Sequence, residues 1–130
     1  PCVFYPDLYG AHYKGTGHDG KGTEIWLAKV DGLENLLKAR NNHGYGVQRD
    51  YFDHANCIGW TREGDNDHSG CAVVLSNGDN GNKNMEIGKR YAGKKFIDTL
   101  EKNPAEIEIN EDGWGNFFAP AGSVSVWIEK

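Results

Sequence analysis

The chain has 130 residues, about the size of one domain, which disfavours a two-domain enzyme with a catalytic cleft between its domains. Fourteen basic and 19 acidic residues give a net charge of −5, whereas a nucleic-acid partner requires a basic face that neutralises phosphates. Hydrophobic residues make up 38% of the chain and no apolar stretch approaches the ~18 residues of a membrane span, so we expect a globular domain that makes no contact with a membrane.

The first 41 residues predict one strand, one long loop and one helix. Residues 2–5 are apolar and lie between two prolines, which predicts a short buried strand. Residues 7–22 are rich in Gly and His without periodicity and predict a loop. Thr23 suits an N-cap, and apolar residues at helical spacing predict a helix from there to Arg40. A buried strand of this kind needs parallel neighbours, so the apolar start of the chain indicates a fragment of a longer protein.

From residue 45 onward the apolar residues recur with a period of two, as in short strands separated by turns. The predicted strands are residues 47–52, 57–62, 71–76, 84–87, 94–98, 105–109, 115–119 and 123–128. Glycine makes up about 14% of the chain, twice its usual share of roughly 7%, which agrees with many turns. This half of the chain predicts an antiparallel sandwich or barrel, and the composition changes near residues 41–44.

The three cysteines predict neither a zinc site nor a disulfide framework. Cys2, Cys57 and Cys71 are odd in number and lack a C-x-x-C spacing, and each is followed by an apolar residue. We therefore expect three small buried thiols that stay free, and the odd count favours a reducing compartment, although the sequence leaves secretion open.

Several short motifs resemble functional loops but lack the residues that their chemistry needs. Residues 15–22 fit G-x-x-x-x-G-K, yet Gly22 stands where a phosphate-binding loop requires Ser or Thr. Residues 65–70 match the first half of a calcium-binding EF-hand loop, yet Ser76 stands where that loop requires Glu. We expect a flexible loop at the first and a polar turn at the second.

Longer segments resemble the liquefying bacterial α-amylases. Residues 1–10 are similar to the last barrel strand of that family, and the likeness continues in register along the chain. The matching segments are residues 1–10, 37–40, 45–54, 58–64, 112–115 and 122–126, whereas Pro6 and residues 79–84 depart from the family pattern.

This resemblance implies that the fold is mainly β. Residues 1–41 would be the eighth strand and helix of a (β/α)8 barrel, a strand–loop–helix unit. Residues 42–130 would be domain C, an antiparallel Greek-key β-sandwich that packs on the barrel. The missing barrel portion of the same protein is therefore the implied partner.

The resemblance also implies where the chemistry lies. The family hydrolyses α-1,4-glucans with retention, using two Asp and one Glu that would precede Pro1, so this chain carries no catalytic residue of that set. Tyr5 and Asp7, with the loop that follows, would border the groove that binds the α-glucan substrate.

The family further has a calcium ion between the barrel and domain C. By register, its domain C ligands correspond to Ala55, Asn56 and Asn77. Two amides replace carboxylates there, and because calcium affinity depends on ligand charge, the resemblance predicts a weakened or absent site.

Two other functions remain open from the sequence. One is a stand-alone carbohydrate-binding module, which aromatic side chains on one exposed sheet face would favour. The other is a purely structural β-sandwich. Trp60, Trp114 and Trp127 are the aromatic candidates for sugar stacking, although most Trp side chains in a small sandwich fill its core.

Overall fold

The computed structural model describes residues 2–16 and 20–130, which form two compact units. The first unit is Pro1–Glu34 and the second is Asn35–Lys130. The division falls inside a helix, and each unit is described by itself.

The first unit contains a short helix and a β-hairpin. Helix α1 is Tyr5–Tyr9, strand β1 is Ala11–Thr16 and strand β2 is Gly22–Leu27. The two strands are antiparallel, with Ala11 opposite Leu27 at one end and Thr16 opposite Gly22 at the other. Of residues 15–22, which we expected to be a flexible loop, residues 17–19 lie outside the described residues, whereas Gly15 and Thr16 end β1 and Gly22 begins β2.

The predicted strand at residues 2–5 is wrong. Residues 2–4 have no regular structure and Tyr5 begins α1. Pro6 occupies the first turn of that helix, where a fixed φ and a missing N–H are favourable. Cys2 is exposed rather than buried, because the described chain offers no parallel strands to cover this segment.

The predicted loop at residues 7–22 and the predicted helix start at Thr23 are also wrong. Both regions contribute strands to the hairpin, and Thr23 pairs with Gly15. The residues of β2 include Thr, Ile and Trp, which favour an extended backbone once a partner strand is adjacent. Gly32 has a φ of 79°, a left-handed conformation that interrupts helical geometry just before the helix begins.

The helix that the sequence predicts is therefore present only in its second half. Helix α2 is Leu33–His43, and the N–H of Gly44 donates to the carbonyl of Arg40 at its end. Eight strands follow in the second unit. They are β3 (Gln48–Tyr51), β4 (Cys57–Gly64), β5 (Ser69–Ser76), β6 (Gly81–Glu86), β7 (Lys95–Asp98), β8 (Ile107–Glu108), β9 (Trp114–Ala119) and β10 (Val124–Glu129).

These strands form two antiparallel sheets. The larger sheet has six strands in the order β3-β4-β5-β10-β7-β8, and β6 pairs with β9 in a two-stranded ribbon. The ribbon contacts β3, β4, β5, β8 and β10 of the larger sheet. The predicted antiparallel sandwich is confirmed, and each of the eight predicted strands is present with ends that differ by a few residues.

The six-stranded sheet buries apolar side chains on both faces. One face packs against the β6–β9 ribbon around Phe96, Phe117 and Trp127, all of which are fully buried. The other face packs against α2, where Ala39 joins Val73 and Val126. Burial on both faces explains the nearly continuous burial along β5, which carries five consecutive buried residues.

Among the described residues, 2–16 and 20–130, no helix is both long and apolar enough to cross a membrane.

Candidate functional site

The residues predicted at the calcium position come together where β4 begins and β5 ends. Cys57 is paired with Ser76 in the sheet, so Asn56 and Asn77 are the next pair outward. The N–H of Asn77 donates to the carbonyl of Asn56 at 3.1 Å. Together with Ala55, they line a cavity of about 210 Å³.

The donors at this position do not fit a tight calcium site. Calcium prefers six to eight oxygen ligands that include carboxylates, whereas Ala55, Asn56 and Asn77 offer two neutral amides and backbone carbonyls. The carbonyl of Asn56 already accepts a hydrogen bond from Asn77. In the described part of the chain, no group of three or more His, Cys, Asp or Glu side chains is placed to hold a metal.

The EF-hand-like segment folds as the predicted polar turn. Asp65 Oδ1 accepts hydrogen bonds from the N–H groups of Asp67 and His68 and contacts His68 Nδ1 at 2.9 Å. The hydrogen bond from His68, followed by those from the backbone, lowers the pKa of the Asp65 carboxyl below its ordinary value. The Asp65 carboxylate therefore stabilises the turn through hydrogen bonds with Asp67 and His68.

The two residues predicted to border a substrate groove lie on α1 in the first unit. The side chain of Tyr5 is exposed, and its ring lies 4.9 Å from the ring of Tyr9. The carbonyl of Asp7 accepts a hydrogen bond from the N–H of Val30 at 2.7 Å. The described residues around them form a helix and a hairpin, and whether they border a groove stays a prediction.

Sequence reasoning missed a concave surface of the second unit, which we call the helix–sheet cavity. It has a volume of about 520 Å³ and lies between α2 and the six-stranded sheet. The residues that line it are mostly apolar: Leu36, Leu37, Ala39, Arg40, Gly44, Gln48, Trp60, Arg62, Cys71, Val73, Leu75, Val124 and Val126. The period-two pattern of the strands contained part of this signal, since Cys71, Val73 and Leu75 alternate on one face of β5.

Polar contacts hold α2 beside this cavity. The Nδ1 atom of His43, in the last turn, lies 2.9 Å from the hydroxyl of Ser69 at the start of β5. The amide of Asn35 donates to the carbonyl of Thr99 at 3.4 Å. The cavity walls are thus fixed at both ends of the helix segment that belongs to the second unit.

The chain is similar to one known protein family and to several curated proteins. The family described as "Alpha-amylase C-terminal" matches residues 71–128, which include most of β5 and continue to β10. The chain is 44% identical over 128 residues to the cytoplasmic α-amylase of Escherichia coli (strain K12), a match that covers 98% of this chain and 26% of that protein. It is 42% identical over 132 residues to the glucan 1,4-α-maltohexaosidase of Bacillus sp. (strain 707), with coverage of 100% and 24%. The chain is thus similar over its whole length to the C-terminal part of bacterial α-amylases.

The α-amylase of Geobacillus stearothermophilus matches in the same way, with 42% identity over 132 residues, all of this chain and 22% of that protein. The chain thus spans about a quarter of the length of the curated α-amylases that it matches. The resemblance seen in the sequence motifs is confirmed. The family match covers most of β5, all of β6 to β9 and most of β10 in the sandwich described above.

Proposed function

We propose that this chain is the non-catalytic C-terminal portion of a retaining α-amylase that hydrolyses α-1,4-glucosidic bonds in starch and related glucans. The observation that carries the proposal is the match along the whole chain to α-amylases that are about four times longer. The catalytic carboxylates are then expected in the portion that precedes this chain, where a retaining enzyme holds a nucleophile and an acid/base about 5 Å apart.

Within such an enzyme, the role of this portion is to stabilise the barrel that carries the active site. The helix–sheet cavity supports this role, because a cavity of about 520 Å³ with mostly apolar walls is stabilised when further apolar side chains fill it. The exposed Trp26, Tyr13 and Ile25 of the hairpin add apolar surface that the preceding portion of the protein would cover.

A chimaera tests the assignment. The C-terminal quarter of the Escherichia coli cytoplasmic α-amylase is replaced by this chain, and starch hydrolysis is compared among the chimaera, this chain alone and the truncated Escherichia coli protein. We expect hydrolysis by the chimaera and none by this chain alone. Starch hydrolysis by a sample verified by mass to contain only these 130 residues would overturn the non-catalytic assignment.

A substitution in the helix–sheet cavity tests the stabilising role. Leu37 is half-buried and lines the cavity, so Leu37→Asp would place an unpaired carboxylate in the proposed contact. Removing such a charge from water costs roughly 3–5 kcal/mol, so we expect the chimaera to unfold at a clearly lower temperature. Asn42→Asp is the matched control, because it adds the same charge at an exposed position of the same helix. Equal effects of the two variants would argue against a partner at this cavity.

A further inference from the structure

A second pocket of the sandwich has a different chemical character. We call it the amide pocket, and it has a volume of about 280 Å³. Three separate segments form it: the start of β6, the loop after β7 and the end of β9. The seven residues that line it are uncharged: Asn80, Gly81, Asn82, Asn103, Phe118, Ala119 and Pro120.

The hydrogen bonds of the pocket orient two of its amides. Asn80 Oδ1 accepts from the N–H of Ala121 and Asn103 Oδ1 accepts from the N–H of Ala105, each at 2.8 Å. Because a backbone N–H can only donate, the oxygen of each side chain must face it and the NH₂ group points elsewhere. Asn80 and Asn103 thus keep NH₂ donors to offer to a ligand.

Asn82 contributes a further polar group beside an aromatic surface. The amide NH₂ of Asn82 donates to Oδ1 of Asn116 at 3.3 Å, and within residues 2–16 and 20–130 its Oδ1 atom has no hydrogen-bond partner and is available for a ligand. Phe118 lies directly opposite Asn82 in the β6–β9 ladder. The ring of Phe118 is held 5.0 Å from the ring of Trp127, whose Nε1 donates to the carbonyl of Phe118 at 3.0 Å. The aromatic wall of the pocket is therefore anchored in the core.

This combination selects a neutral ligand that has both hydroxyl groups and an apolar face. A phosphate, a carboxylate or an ammonium group would find no opposite charge among the residues that line the pocket. A pyranose ring meets both requirements, since its hydroxyls bind amides and its C–H face packs on an aromatic ring. The volume lies just below the roughly 300–1,000 Å³ of pockets that hold drug-sized molecules, which suits a single ring.

We propose that the amide pocket binds one glucose unit of an α-1,4-glucan. The choice of an α-glucan rests on the proposed function, whereas the choice of a sugar rests on the pocket.

Titration of the ¹⁵N-labelled chain with maltotriose tests the proposal by NMR. We expect saturable shifts of the side-chain amide signals of Asn80, Asn82 and Asn103, with a dissociation constant of about 1–10 mM for a site that holds one ring. Cellotriose, with β-1,4 linkages, is the comparison ligand and should bind more weakly. No shift up to about 50 mM maltotriose, or shifts confined to other parts of the chain, would overturn the proposal. Equal binding of cellotriose would overturn the choice of an α-glucan.

Two variants and a control locate the binding. Asn82→Ala removes an exposed side chain that hydrogen-bonds to Asn116, and loss of one hydrogen bond to the sugar should weaken maltotriose binding about fivefold. Phe118→Leu keeps an apolar side chain beside Trp127 but removes the flat ring on which the sugar would pack. It provides a second, independent test if Asn82→Ala does not fold. Asn66→Ala, at an exposed Asn outside the pocket, should bind as the unaltered chain does. Unchanged affinity in both pocket variants would overturn the proposal.

The two proposals fail separately. The maltotriose titration measures binding at the amide pocket and involves no hydrolysis, whereas the chimaera assay measures hydrolysis and does not report on binding at the amide pocket. An active chimaera whose C-terminal portion binds no maltotriose would overturn only the sugar site, whereas an inactive chimaera with intact binding would overturn only the α-amylase assignment.

Discussion

Cys71 lies on β5 with its sulfur 3.5 Å from the carbonyl of His43 on α2. Burial raises the pKa of this thiol from its ordinary 9.0 to about 11. Between those values the folded chain keeps a proton that the unfolded chain releases, so the free energy of unfolding falls as pH rises. The contribution of Cys71 is fully present below about pH 9 and is lost by about pH 11.

Urea unfolding at pH 8, 9, 10 and 11 measures this contribution. Cys71→Val keeps an apolar side chain at this position but removes the titrating thiol. Between pH 9 and pH 11 we therefore expect its free energy of unfolding to fall by about 2 kcal/mol less than that of the unaltered chain. Cys2→Ala is the control, since it removes an exposed thiol and should leave the pH dependence unchanged. Parallel curves for Cys71→Val and the unaltered chain would show that the thiol does not titrate as expected.

A position can require glycine because its φ is positive or because there is no space for a Cβ atom, and Gly46 and Gly93 differ in the second respect. Their φ angles are 75° and 72°, so any other residue costs roughly 1–2 kcal/mol at either position. At Gly46 a Cβ atom would also lie 1.8 Å from the carbonyl oxygen of Gly64, whereas at Gly93 it would meet nothing within 4 Å.

We therefore expect Gly93→Ala to lower the free energy of unfolding by roughly 1–2 kcal/mol and Gly46→Ala by roughly 3 kcal/mol or more. Denaturant unfolding of both variants at neutral pH is the measurement. Equal losses would mean that the β3 side of the sheet moves away from Gly64 without cost.

Among the secondary-structure elements, the strands of the sandwich could be predicted from the sequence, whereas the helix and the hairpin of the first unit could not. In residues 106–109, exposed and buried side chains alternate as the sequence Glu-Ile-Glu-Ile predicts. A strand could be predicted there because a helix, with 3.6 residues per turn, does not place alternate residues on one face. Trp26, Val30 and Leu33 are spaced for a helix, but the backbone conformation at Gly32 and the pairing of β2 with β1 override that spacing. The amide pocket was not predictable, because its residues come from three segments that only the folded sandwich brings together.

The ends of β4 and β5 predict how the chain responds to calcium. Because Asn56 and Asn77 are neutral, we expect 1 mM calcium to leave the melting temperature of the chain unchanged within about 1 °C. The double variant Asn56→Asp/Asn77→Asp supplies two carboxylates at the same adjacent positions and should melt at a higher temperature with calcium than with magnesium.

Differential scanning calorimetry with calcium, magnesium and a chelator provides the measurement. Asn41→Asp/Asn42→Asp is the control, because it adds the same charge at exposed positions of α2. Strong stabilisation of the unaltered chain by calcium would show that amides and carbonyls suffice here.

For the whole molecule, the two units predict the course of limited proteolysis. The second unit begins at Asn35, and Leu36 and Ala39 pack against its sheet, whereas most side chains of β1 and β2 are exposed. We expect proteases to remove residues before Asn35 first and to leave a resistant core that retains α2. Mass spectrometry of that core gives its first residue. A core that begins near Gly44 would show that α2 is not held by the sheet, and a core that keeps β1 and β2 would show that the first unit is as stable as the second.

The position of β10 in the six-stranded sheet bears on how the protein forms during translation. β10 lies between β5 and β7, and it contributes the fully buried Trp127 to the core. On the ribosome, β3, β4 and β5 emerge long before β10. Until β10 is made, the backbone N–H and C=O groups along one edge of β5 and one edge of β7 have no partner strand. The sheet therefore cannot close while the chain is being made up to β9, and nascent chains at that stage are candidates for chaperone binding.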